Sequence, residues 1–277
     1  MQIILFATLF ATVTLLAVAL AQGKLPLILK YRARDYLTFA GMGFLGTFTY
    51  YFLLYWAYQA APVQVAYIVN YTYPLWMVVF AAPILGERVT ARKVLAMVVG
   101  LLGVFVVVTR GSLGGLSAGD ALGSLAALAA AVCYGLFSVL GKRQDYDRVT
   151  SLMFYFLFAF VFALAAVLAF SSIPSPDAFQ LAGMLWQGVF ILALSYVLWF
   201  TALRQADTGL VSNLILLTPF VSLVYIFLFL GEPIALSTVA GLLLIVFGIL
   251  IQGYRNKPAP RRNSARLKGK TMAKKKH

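Results

Sequence analysis

The residues best equipped for chemistry in this chain are uncharged. Asn70, Tyr71 and Pro74 stand with Gln64 and Tyr67 at intervals of three and four, so a helix running through them presents one polar stripe. Ser212, Asn213, Thr218 and Ser222 form a second set and Ser195, Tyr196 and Trp199 a third, while Tyr51 and Tyr134 add further ring hydroxyls. Amides and hydroxyls of this kind hold a polar ligand or glue helices together, and aromatic rings stack on a ring or carry a cation over their faces. The one histidine, His277, is the last residue, and Cys133 is the one cysteine. That count excludes a histidine metal cluster, an internal disulfide, a CxxC pair and a cysteine zinc site. No catalytic residue or metal ligand is therefore expected, and the chain is not read as an enzyme.

The elements that must position these groups follow from composition. Of 277 residues, 62% are hydrophobic and 11% charged, and the mean hydropathy is +0.92, far beyond a water-soluble domain. Apolar runs separated by charged or turn-rich breaks predict nine spans, at 2–21, 36–58, 63–85, 93–109, 119–141, 150–171, 180–203, 208–230 and 236–253. They must be helices, because backbone amides in lipid have no water to bond and barrel strands would alternate apolar with polar. The expected fold is an all-α, polytopic membrane helical bundle.

Charge assigns the two faces. The net charge of +14 would suggest nucleic acid in a soluble protein, but all of the 22 Lys and Arg except Arg110 fall in alternate loops and in the tail. The positive-inside rule then places the N-terminus outside and the C-terminus in the cytoplasm, in a cell membrane of the bacterial inner-membrane kind. Ala19-Leu20-Ala21 is similar to a signal-peptide cleavage site, yet a positive n-region is missing and cleavage would invert every later loop. The tail, 254–277, lacks apolar periodicity and reads as a disordered polybasic segment lying on anionic lipid.

Shifting the sequence on itself by 145 residues brings landmarks into register. Tyr51 falls on Tyr196, Ala57 on Ala202, Ala61 on Ala206, Pro74 on Pro219, Gly86-Glu87 on Gly231-Glu232, and Gly103 on Gly248. An offset of five spans is odd, so the second copy is inverted. The chain divides into a first repeat at 1–110, a second at 119–253 and the tail. Inverted halves that exchange conformations expose one central site to each side in turn, which makes a secondary transporter the leading class. The same offset sends the span at 119–141 upstream of Met1, so one helix is expected to be missing from the first half.

These residues resemble the drug/metabolite transporter superfamily, in its EamA-type ten-helix branch. The carriers are the paired proline and glycine-glutamate signatures, Pro74 with Gly86-Glu87 and Pro219 with Gly231-Glu232, and the likeness covers residues 1–253. Within the branch, Asn70-Tyr71-Thr72-Tyr73-Pro74 is similar to a stretch of bacterial aromatic amino acid exporters. The resemblance implies export of amino acids or related metabolites through a central cavity by a monomer or homodimer, with no organic cofactor.

Each candidate also has a plainer role. Pro74 and Pro219 are expected as hinges, since each removes an amide donor in mid-span. Tyr67, Asn70, Tyr71, Tyr51, Tyr134, Tyr196, Trp199, Ser212 and Asn213 are expected to line the cavity, whereas Trp56 and Tyr58, near a span end, read as interfacial belt residues. Glu87 and Glu232 read as charges offsetting the dipole of a following helix, and Asp120 as a cap. With no ionisable residue in mid-span, the buried carboxylate of a proton antiporter is lacking. Efflux of lipophilic cations is the second transport reading, and a non-transporting scaffold or receptor the alternative of another class.

Overall fold

The structure is a computed structural model that describes residues 1–109, 121–170, 176–218 and 236–253, with positions 221, 224 and 228. Pro219, Ser222, Gly231, Glu232, Arg110, Asp120 and the tail lie outside the described residues, as does the side chain of Gln64. Among the described residues every regular element is a helix. In chain order these are α1 (Gln2–Ala21), α2 (Leu25–Ile28), α3 (Ala33–Gly43), α4 (Tyr50–Ala60), α5 (Val63–Asn70), α6 (Tyr73–Leu85) and α7 (Ala91–Thr109). They continue as α8 (Ala121–Arg143), α9 (Arg148–Phe170), α10 (Ala178–Trp186), α11 (Ser195–Gln205), α12 (Thr208–Leu214) and α13 (Leu236–Gly253). Among the described residues six helical stretches are long and apolar enough to cross a bilayer, and Leu102, Leu125, Leu168 and Leu250 are exposed on the outer faces, as lipid contact requires.

The span expected at 36–58 extends over Ala33–Ala60, and the one at 180–203 over Ala178–Gln205. Each has 28 residues, which at about 1.5 Å per residue gives roughly 42 Å against a hydrocarbon core of about 30 Å. Each also contains a π-helical stretch, Phe44–Thr49 between α3 and α4 and Gln187–Leu194 between α10 and α11. The 145-residue shift carries the first stretch onto 189–194, inside the second. π-turns of this kind widen a helix and re-aim the side chains that follow it.

The expected continuous helix at 63–85 is corrected by the structure. It stops at Asn70 and restarts at Tyr73, so Pro74 lies in the first turn of α6, where a missing N–H interrupts no bond. The Tyr71 amide still reaches the Tyr67 carbonyl at 3.0 Å, but the Thr72 amide turns to Val69 and the Thr72 hydroxyl bonds the same carbonyl at 2.7 Å. A 3₁₀ turn, Ile215–Leu217, follows α12 at the position 145 residues beyond this break.

Close packing is set by glycines. A Cβ on Gly103 would lie 2.6 Å from the Gly241 carbonyl, and one on Gly248 would lie 2.6 Å from the Ala96 carbonyl. These two contacts join α7 to α13 and exchange under the 145-residue shift, since 103 maps to 248 and 96 to 241. Gly43 meets Tyr155 of α9, and Gly188, 145 residues on, would place a Cβ 2.6 Å from the Ala7 carbonyl of α1. The Phe10 Cβ is equally near that Cβ, at 2.6 Å, and 10 lies 145 residues before 155, so these contacts follow the offset as well and complete one seam. Around it the core gathers Phe39, Met77, Phe137, Leu152, Phe156, Leu192 and Leu203, all fully buried.

Candidate functional site

Between the halves lies an open cavity of about 270 Å³, near the lower end of the roughly 300–1,000 Å³ usual for small-molecule sites. Its walls come from α4 (Tyr50, Tyr51, Leu54, Tyr58), α5 and the break after it (Tyr67, Asn70, Tyr71, Tyr73), α8 (Tyr134) and the second π stretch with α11 (Ile191, Ser195, Tyr196). Eight of these twelve residues are tyrosine and none is ionised at neutral pH. The Tyr196 hydroxyl reaches the Tyr51 hydroxyl at 3.5 Å, so two residues 145 apart meet each other. Tyr134 packs edge-on to Tyr73 with ring centres 4.9 Å apart and lies 4.7 Å from the ring of Tyr50.

The polar atoms of this wall are mostly hydroxyls. The Tyr67 hydroxyl donates to that of Tyr71 at 3.1 Å, and the Ser195 hydroxyl is turned back on the Ile191 carbonyl. The Asn70 amide nitrogen donates to the Tyr50 hydroxyl at 3.4 Å. Asn70 is 5% exposed, and its Oδ1 is buried without a hydrogen-bond partner.

Of the residues expected at a cavity, Tyr67, Asn70, Tyr71, Tyr51, Tyr134 and Tyr196 are brought together here. Trp199 lies behind the wall, its ring stacked on Tyr134 and its indole N–H donating to Ser138 at 3.2 Å. Ser212 and Asn213 are buried deeper, the Ser212 hydroxyl 3.7 Å from the Met77 sulfur and Asn213 beside Gly100. Tyr58 is corrected from the belt to the cavity wall. It follows Tyr50 and Leu54 at intervals of four, a shared face visible in the sequence, whereas Trp56 points outward and is 44% exposed.

A second polar cluster closes one end of the bundle. Gly86, at φ 69°, ends α6 in a left-handed turn, with the Gly86 amide on the Ala82 carbonyl and the Glu87 amide on the Ala81 carbonyl. The turn delivers Glu87 to Lys142 at 2.8 Å and to the Thr208 hydroxyl at 2.7 Å, and the Lys142 ammonium also donates to the Ala206 carbonyl at 2.8 Å. Glu87 precedes the start of α7 by four residues, and its carboxylate instead meets Lys142 and the N-terminus of α12, where it accepts the Thr208 amide at 3.3 Å. Lys93 pairs with Asp207 at 2.7 Å, the Tyr146 hydroxyl donates to Asp35 at 2.6 Å, and Lys24 pairs with Asp147 at 2.7 Å. Arg204 donates to the carbonyls of Gln144 and Tyr146, with the latter at 3.1 Å.

The ties of Glu87 to Lys142 and Thr208, of Lys93 to Asp207, of Asp35 to Tyr146 and of Lys24 to Asp147 each join a residue of 1–110 to one of 119–253, whereas those of Arg204 lie within 119–253. The sequence signals only an accumulation of charge at alternate loops, because partners such as Glu87 and Lys142 are 55 residues apart. Burial alone would push the Asp147 carboxyl up, but Lys24 and the Thr150 amide outweigh it and hold the group below its ordinary value. The hydrogen bond to Asp35 raises the Tyr146 hydroxyl.

The family model for EamA-like transporters matches residues 1–109 and 121–253. The chain belongs to the EamA-like transporter family. As such it is a membrane transporter chain of small molecules, and its relatives agree. Over 190 residues it is 33% identical to the uncharacterized transporter YvbV of Bacillus subtilis, covering 66% of this chain and 61% of that one. A Streptantibioticus cattleyicolor protein named "Probable terminal-alkyne amino-acid exporter" is 29% identical over 87% of this EamA-like chain and 80% of its own. The aromatic amino acid exporter YddG of Ancylobacter novellus is 29% identical over 64% of this chain and 62% of its own. The matches to YvbV and YddG thus span less than two thirds of those proteins. A solved crystal structure superposes with a TM-score of 0.79 at 22% identity, covering 94% of this chain and 89% of that one, which shows a shared fold.

Proposed function

We propose that this chain exports amino acids with aromatic or apolar side chains by alternating access, with the tyrosine-lined cavity as the substrate site. The carrying observation is the cavity itself: it is sized for one amino acid, uncharged, and built where residues 145 apart meet. Rings stack on an aromatic side chain, and hydroxyls serve a zwitterion's two poles. A nucleotide sugar would need cations for its phosphates, and the wall supplies none. The exporters named among its relatives support the same substrate class. The charged cluster supports a state closed at that end, which the positive-inside rule makes the cytoplasmic one. In this reading the chain works in a bacterial inner membrane as a monomer or homodimer, N-terminus outside, with its basic tail on anionic lipid.

Counterflow of labelled tryptophan, phenylalanine and threonine in proteoliposomes tests the proposal, beside a labelled lipophilic cation and with Tyr71→Ala as control. Saturable aromatic flux lost in the variant is the expected result. Flux of the cation alone would move the function to drug efflux, and no flux of any probe would move it to a scaffold.

A further inference from the structure

The cavity wall presents its polar atoms unevenly. Tyrosine and serine hydroxyls can donate or accept, and the two tyrosine pairs already use one another, but a carboxamide oxygen can only accept. Asn70 Oδ1 is the acceptor without a partner, at a site whose residue is 5% exposed. Its orientation is set by a neighbour in the wall, because the amide nitrogen of the same group is engaged with the Tyr50 hydroxyl at 3.4 Å. A buried acceptor left unpaired is costly, so the group that completes this site must bring a donor. The same wall carries aromatic rings in close pairs, Tyr67 with Tyr71 at 4.6 Å and Tyr50 with Tyr134 at 4.7 Å. Rings attract a cation placed over them, and the wall holds no carboxylate to compete for it.

We infer that Asn70 is a specificity-determining residue that reads the substrate's ammonium group: Oδ1 accepts one of its N–H bonds and the tyrosine rings hold its charge. This inference rests on the export reading and adds a chemical rule to it. A primary amine is obligatory, whereas the carboxylate, facing hydroxyl donors with no Lys or Arg behind them, is dispensable. Asn70 ends α5 and Tyr73 opens α6, so the site lies where the two helices meet, on either side of residues 71 and 72.

The test is competition against labelled phenylalanine bound to the purified full chain. The competitors are phenethylamine, which lacks the carboxylate, and 3-phenylpropionate, which lacks the amine. In the wild type phenethylamine should compete within about tenfold of phenylalanine, and 3-phenylpropionate at least about tenfold more weakly. Asn70→Leu should weaken the two amines by roughly tenfold or more while leaving 3-phenylpropionate unchanged, as expected for loss of a hydrogen bond to a charged group. Asn70→Asp, which keeps acceptors at the same place, should retain or tighten both amines. Should N70L fail to yield folded protein, the wild-type ranking and N70D still decide. The inference is overturned if the acid competes as well as phenylalanine, if N70L weakens all three ligands alike, or if N70D loses the amines. A wild type that binds none of the three overturns the export reading together with it.

Discussion

Asn70 illustrates how much a single position depends on its neighbours. Its spacing from Tyr67, Tyr71 and Pro74 is enough to place it on a polar stripe before any coordinates are known. The identity of its partner is not, because Tyr50 lies 20 residues away on α4. The tyrosine pair Tyr51 and Tyr196 behaves differently. At 3.5 Å their hydroxyl contact is long, so removing it should cost only about 0.5 kcal/mol, the low end for a hydrogen bond. Tyr51→Phe and Tyr196→Phe should each lower the thermal midpoint slightly, and the double variant no further than either single one; a fully additive loss would mean that each hydroxyl has another partner. Tyr58 was misplaced by its position near a span end, where tyrosines commonly mark the interface, although its four-residue intervals from Leu54 and Tyr50 held the opposite information.

At the scale of elements, apolar length makes the helices legible and leaves their interruptions hidden. Hydropathy does not sense backbone register, so neither the π stretches at Phe44–Thr49 and Gln187–Leu194 nor the restart at Tyr73 could be read from it. The α7–α13 contact is simpler. Gly103→Ala and Gly248→Ala each push a methyl into a carbonyl 2.6 Å away and should destabilise by roughly 1–3 kcal/mol, read as a lower melting temperature in detergent. Gly183→Ala, with nothing within 4 Å, should instead be neutral or stabilise α10 by up to about 1 kcal/mol. The pair at the end of α6 bears on movement. With Cys133→Ala as background, joining the E87C/K142C variant through a short bifunctional thiol reagent should abolish counterflow, and reduction should restore it, if that end opens during transport. The Lys24 and Asp147 pair carries a pH signature: because the folded carboxyl titrates below its ordinary value, its stabilisation is present above about pH 4 and is lost as the pH falls through that lowered value. Melting curves of wild type and Lys24→Met should therefore converge in acid.

For the molecule as a whole, the charge asymmetry of the loops makes a definite prediction of orientation. In intact cells Gln59→Cys, in the last turn of α4, should react with a membrane-impermeant maleimide, and Arg34→Cys should react only after permeabilisation; the reverse pattern would invert every assignment of sides. The 145-residue offset was legible because landmark residues share it, and the contacts of Gly103 with Gly241 and of Gly248 with Ala96 obey the same offset in space. That relation gives the Tyr51 and Tyr196 contact an unusual status. If transport consists of the halves trading conformations, a distance between residues that are not 145 apart is exchanged for that of its mirrored pair, but this pair, like any other at that offset, maps onto itself. The separation of residues 51 and 196 is then the same whichever side is open, and it supplies a fixed zero mark against which spectroscopic distances elsewhere in the protein can be calibrated.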